Sequence, residues 1–108
     1  MISPQVIYQF FGDDDNEMLK DMIEIILETN LKDLKELETA YEEKDFLTIK
    51  KRCHKAKPSM SYIGAVETRR LLEEIEQDME RSYNKYLELL KHIRIIEKEL
   101  QEFLQKLK

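Results

Sequence analysis

Five stretches of the chain repeat apolar residues at three- and four-residue steps, the period of an amphipathic helix. Ser3-Pro4 opens the first, with Ser as cap and Pro in the first helical position. Val6, Ile7, Phe10 and Phe11 follow, and Gly12 stops it. So short and apolar a segment is predicted to lid one end of a bundle. Asp13-Asp14-Asp15-Asn16 caps the second stretch, with acidic residues complementing the helix dipole. Leu19, Met22, Ile23, Ile26, Asn30, Leu34, Leu37 and Tyr41 form its stripe, with no break before Lys44-Asp45. That predicts one helix of about 28 residues, about 42 Å long. Asn30 interrupts the stripe and reads as a buried, hydrogen-bonded polar residue.

Asp45 caps the third helix, which runs to about Tyr62 on a stripe of Phe46, Ile49, Cys53, Ala56, Met60 and Ile63. Pro58 lies well inside it, and a kink is the default expectation. Gly64 fits a tight junction. Ala65, Thr68, Leu72, Ile75 and Met79 give the fourth helix its inner face, and a turn is predicted at Ser82 to Asn84. Leu87, Leu90, Ile93, Ile96, Leu100, Phe103 and Leu107 carry the fifth to the end. Helices joined by such short connections pair as antiparallel neighbours. The expected fold class is therefore all-α: an antiparallel up-down four-helix bundle with an additional short N-terminal helix.

Composition narrows the picture further. Gly and Pro number two each, too few for the turns of a β-rich chain. At 108 residues the chain is expected to be one domain, 1–108. Its net charge of -5 argues against nucleic acid as a partner. No stretch approaches the ~20 apolar residues of a membrane span, and Met1 to Phe11 lacks the basic start of a signal peptide, so a cytoplasmic location is expected. Cys53 is the only cysteine and falls on the apolar stripe, where it reads as a small core residue.

The region 45–65 holds the candidate chemistry. On the third helix Lys50, His54, Lys57 and Ser61 recur at helical steps on a second face: an imidazole, an ammonium one turn on and a hydroxyl beyond. Lys50, Lys51, Arg52, Lys55 and Lys57 put five basic residues within eight positions, against the chain's acidic average. Such a patch is either a solvated face or a landing site for an acidic partner or a phosphoryl group. Neutral imidazole is nucleophilic near neutral pH, and a nearby ammonium can hold phosphoryl oxygens. Ser59 points away from His54 and is expected to bond backbone in its own turn.

The run His54-x-x-Lys57-x-Ser59 with Gly64-Ala65 closing it resembles the signature of histidine-containing phosphotransfer (HPt) domains, roughly His-x-Leu-Lys-Gly-Ser-x-x-x-x-Gly-Ala. The upstream frame is similar too: an acidic start, a helix ending in Leu37-Glu38-Thr39-Ala40, then Lys44-Asp45-Phe46. Ala56 stands where the family has Leu, and Pro58 where it has a small Gly. The resemblance implies a phosphorelay intermediate of two-component signalling. His54 would accept a phosphoryl group from a receiver-domain aspartate, or pass one to it, with Lys57 stabilising its charge.

It implies a phosphocarrier without independent turnover and without a cofactor of its own. A response-regulator receiver domain would bring the phospho-aspartate, its carboxylates and Mg²⁺; a hybrid sensor histidine kinase would stand upstream. Lys50, Ser61 and Pro58 would contact the phosphoryl group or partner, and the antiparallel fourth helix is expected to bring Gln77 or Glu74 near His54. No acidic pocket is expected beside His54. A monomer is expected, because the relay face must stay open. The alternative is a non-catalytic docking module on the same fold, binding a receiver or other acidic partner without transfer. Metal binding is not expected: Cys53 and His54 point apart, and His92, without a spaced partner, is read as sitting at the surface or stem of its own helix.

Overall fold

The computed structural model describes residues 1–107. Helices α1 (Pro4–Phe11), α2 (Asn16–Ile25), α3 (Lys32–Lys35), α4 (Glu38–Glu42), α5 (Phe46–Tyr62), α6 (Val66–Gln77) and α7 (Tyr83–Lys106) follow in order, and the described residues contain no strand. The caps are those the sequence names. Ser3 accepts from the Val6 N–H, Asp15 from Met18 and Asp45 from Thr48. Each side chain satisfies one of the free N–H groups at its helix start. Fixed by its hydrogen bonds to Thr48, the exposed Asp45 carboxyl titrates below its ordinary range.

Four rods form the bundle: α2 to α4, α5, α6 and α7. Their cross-contacts fix the directions. Asn30 meets Ser59 while Asp33 and Glu36 meet Arg52. Lys57 meets Glu76 while Ser61 meets Arg69. Thr68 meets His92 while Glu74 meets Lys85. Lys35 meets Glu97 while Glu38 meets Tyr83. In every pair the numbers rise on one rod as they fall on the other, so all four neighbours are antiparallel. The molecule is 44 × 20 × 19 Å, with one core from Ile7 to Phe103 along its length.

The first rod, α2 to α4, is not the single helix predicted. Residues Ile26–Leu31 form a π-helical turn, and the chain leaves helical geometry at Glu36 before α4 begins. A wide turn shifts the register so that Ile26, Asn30 and Leu31 all face inward. The break at Glu36 frees backbone groups, and two distant side chains take them up. The Tyr86 hydroxyl accepts from the Leu37 N–H at 3.2 Å and donates to the Lys35 carbonyl at 3.1 Å. Arg52 Nη1 donates to the carbonyls of Asp33 and Glu36, both at 3.1 Å. Leu34, Leu37 and Ala40 stay in the core across the break.

The first helix lids the end of the bundle where α5 closes. The Ser3 N–H donates to the Ile63 carbonyl at 2.8 Å, Ile7 is fully buried, and Phe10 and Phe11 pack edge-on against Tyr62 at 5.1 and 5.7 Å. Gly64 is required here for two reasons. Its φ is +77°, and a Cβ added to it would lie 2.7 Å from the Ser3 Cβ. Helix α5 runs unbroken across Pro58.

Three expectations for the C-terminal half are corrected. The break between α6 and α7 lies at Asp78 to Ser82, before the predicted turn. Ser82 is buried, bonded to the Met79 carbonyl at 2.8 Å and to the Tyr41 hydroxyl at 2.7 Å, and so anchors the junction. Tyr86 and Leu89 take the core places, while Leu87 is exposed. The Tyr86 bonds to the Glu36 break fix that phase. His92 is not at the surface: it lies between α6 and α7, 13 % exposed, with Nδ1 2.9 Å from the Thr68 hydroxyl.

Candidate functional site

The motif helix presents two polar flanks, one toward α2 to α4 and one toward α6. On the α6 flank the His54 side chain is 73 % exposed. Its helical phase sets it opposite the stripe of Ile49, Cys53, Ala56 and Met60, all fully buried. Lys57, one turn on, is different in kind. Its side chain is only 18 % exposed, and Nζ lies 3.0 Å from Glu76 Oε1. The same carboxylate reaches His54, with Oε2 3.5 Å from Nδ1. Glu76 is itself 14 % exposed. Its Oε1 is buried without an aligned hydrogen-bond donor, so the Lys57 contact is an ion pair rather than a directed bond.

Glu76 corrects two expectations. An acidic group of this chain does stand beside His54, and the α6 residue that reaches the motif face is neither Gln77 nor Glu74. Gln77 is exposed at the end of α6, and Glu74 faces Lys85 at 3.9 Å. The spacing carried part of the signal. Glu76 follows the buried Leu72 by four residues, so it borders the inner stripe of α6.

The other motif residues divide. Ser61 is half-buried and accepts a hydrogen bond from Arg69, whose Nε also pairs with Glu73 at 3.2 Å. Pro58 is exposed beside His54. Lys50, Lys51 and Lys55 are exposed and make no hydrogen bond or ion pair among the described residues. Arg52, grouped with them in sequence, belongs to the other flank and to the Glu36 break. Ser59 is on that flank as well. Its hydroxyl donates to Asn30 Oδ1 at 2.7 Å rather than to its own backbone, which satisfies the buried Asn30 as predicted. Burial pushes the Cys53 thiol up to about 12, with the Glu76 carboxylate adding to the shift and Lys57 opposing it. A thiol so held is no nucleophile near neutral pH.

The arrangement offers one exposed nucleophile, its ring faced on one side by a carboxylate, with an ammonium one turn away. Among the described residues no group of three His, Cys, Asp or Glu side chains converges as a metal site, and no helix is long and apolar enough to cross a membrane. A family model for the Hpt domain matches residues 21–108. The chain belongs to the Hpt domain family. Hpt domains are helical phosphocarriers of two-component phosphorelays, working with receiver domains and histidine kinases. Helix α1 lies outside the matched residues. Comparison with curated proteins and with solved structures finds no match.

Proposed function

We propose that this Hpt domain is a phosphorelay intermediate in which His54 is the phosphorylated residue. One observation carries the reading: a 73 %-exposed imidazole with an ammonium one helical turn away, at the offsets of the family's His and Lys. The ring nitrogen that faces solvent gives its lone pair to the phosphorus of a receiver's aspartyl phosphate. An N–P bond forms, the P–O bond to the aspartate breaks, and the carboxylate leaves with that electron pair. Running the same exchange backward loads a receiver. Lys57 supplies positive charge to the phosphoryl oxygens. The receiver partner supplies the carboxylates and Mg²⁺, as the family resemblance implies.

The unpaired lysines Lys50, Lys51 and Lys55 give the partner's acidic pocket an electrostatic approach, while Pro58 forms an uncharged floor next to His54. The unit acts as a carrier without turnover of its own, as one copy, in the cytoplasm where receivers and kinase domains meet. Incubation with an acetyl-phosphate-charged receiver tests this. Acid-labile phosphate on the wild type and none on His54→Gln is the expected result. Equal labelling of the two, or no labelling of either, defeats it. Receiver binding that survives in both proteins without labelling would point to a docking module whose exposed Pro58 blocks transfer.

A further inference from the structure

Helix α5 keeps helical geometry through Pro58, yet proline brings no N–H to the helix. The N–H of residue 58 is the one that would bond the carbonyl of residue 54, one turn back. The relay residue therefore offers its own main-chain carbonyl as well as its ring. That carbonyl opens on the relay side, because His54 and Pro58 are both exposed and lie about 40° apart around the helix. Among the described residues no side chain donates to it. The polar neighbours in the motif are engaged elsewhere. Lys57 pairs with Glu76, Ser61 accepts from Arg69, and Ser59 gives its hydroxyl to Asn30 on the other flank. Water is left as the donor in the free protein. We propose that Pro58 turns the His54 carbonyl into a second docking point of the relay face. It accepts an N–H or O–H from the receiver and so selects receivers that carry such a donor beside the aspartyl phosphate. This rests on the reading of His54 as acceptor.

Desolvation gives the selection its sign. Docking close enough for phosphorus to reach the ring strips water from the carbonyl as well, since both belong to one residue. A carbonyl bonded inside its helix is indifferent to this, because its bond is made whether or not a partner arrives. The freed carbonyl has to find a new donor or be buried without one. A buried acceptor left unpaired costs more than a satisfied one returns. A receiver with a matching donor replaces the lost water, and one with an apolar side chain at that point is rejected. Lys50, Lys51 and Lys55 cannot take this part. They bring only donors, and exposed charge draws acidic surface from a distance without testing the contact at the centre. Pro58 is then a positioning residue that acts through the backbone of its neighbour one turn away.

The test separates the missing N–H from the ring of the proline. Pro58→Ala restores the N–H and returns the His54 carbonyl to the helix. Alanine is the strongest helix former, so this variant is expected to melt higher than wild type, which checks the fold. N-methylalanine at position 58 removes the ring but still lacks the N–H. It is placed by joining a thioester of residues 1–52 to a synthetic 53–108 at Cys53. Calorimetric binding of an unphosphorylated receiver is expected to weaken by about two- to tenfold for Pro58→Ala, the range of one hydrogen bond. The N-methylalanine chain is expected to stay within about twofold of wild type. Equal loss in both overturns the role of the carbonyl and leaves only contact with the ring. Unchanged or tighter binding by Pro58→Ala overturns it as well, and so does a wild type that binds no receiver.

A second measurement follows the carbonyl itself and does not need the N-methylalanine chain. With ¹³C at the His54 carbonyl, isotope-edited infrared spectra are expected to show its band shift on receiver binding in wild type and hold still in Pro58→Ala. A wild-type band that coincides with that of Pro58→Ala, or that receiver binding leaves in place, overturns the proposal. The relay reading fails separately. Absence of acid-labile phosphate on His54 defeats that reading, while the binding ratios, measured without any phosphoryl group, still decide the carbonyl.

Discussion

The two flanks of α5 use similar residues to opposite ends. Toward α2 to α4, Arg52 and Ser59 are spent on structure: each donor is matched to a carbonyl or amide oxygen of the broken rod. Toward α6, His54 keeps its ring in solvent, and Lys57 is tethered only by an unaligned ion pair. A satisfied polar network rigidifies a seam, whereas a loosely held one leaves groups free to change partners. One helix thus carries a fixed side and an open side, which the proposed function makes the reactive one. Mutations should therefore sort by flank: those on the first move stability and spare transfer, and those on the second do the reverse.

The largest stability effect expected on the fixed side comes from Tyr86→Phe. It strands the Leu37 N–H and the Lys35 carbonyl near the Glu36 break and should cost about 1–3 kcal/mol. Thermal unfolding should fall by about 4–8 °C per kcal/mol, with phosphoryl acceptance at His54 intact. A silent Tyr86→Phe would mean that the break is held by something else. Arg52→Ala comes next, at about 1–2 kcal/mol, because two carbonyls at the half-exposed seam can turn to water. Were Arg52→Ala to weaken receiver binding as much as loss of Lys51 or Lys55 does, the division between the flanks would be wrong.

Alkaline pH probes the core between the flanks. Burial raises the Cys53 thiol from 9.0 to about 12 and the Tyr41 phenol from 10.0 to about 12. Both are raised in the folded state, so their contribution to stability is complete below pH 9. It is lost as the unfolded chain releases protons and pH climbs toward 12. Urea midpoints should drop across that window, and Cys53→Ala should flatten the drop while lowering stability at neutral pH. A flat wild-type profile from pH 9 to 11 contradicts the burial of both groups. The smallest stability effect belongs to the reactive side. Replacing Lys50, Lys51 and Lys55 by Glu should change unfolding by no more than about 0.5 kcal/mol for each position. The same change should slow receiver association by about tenfold or more at low salt and less as salt rises. Salt-independent association in the wild type would remove the role given to the patch.

Much of this molecule could be read without coordinates, because the relevant signals are local. The caps Ser3, Asp15 and Asp45 act within one turn of their own position. The apolar stripes need only the helical period, and His54 and Lys57 meet on one face because they are three residues apart on one helix. What failed to show in the sequence depends on contacts between residues far apart in the chain. The first rod, α2 to α4, has no Gly or Pro inside it, so its break is invisible until Tyr86, 49 residues beyond Leu37, and Arg52 supply the missing bonds. The partner on α6 was read as Gln77 or Glu74, one or two positions from Glu76, and one residue on a helix is about 100° of rotation. That phase is set where Gly64 turns against Ser3 and where Leu72 and Ile75 seat in the core, so only the packed bundle could choose Glu76 over Gln77.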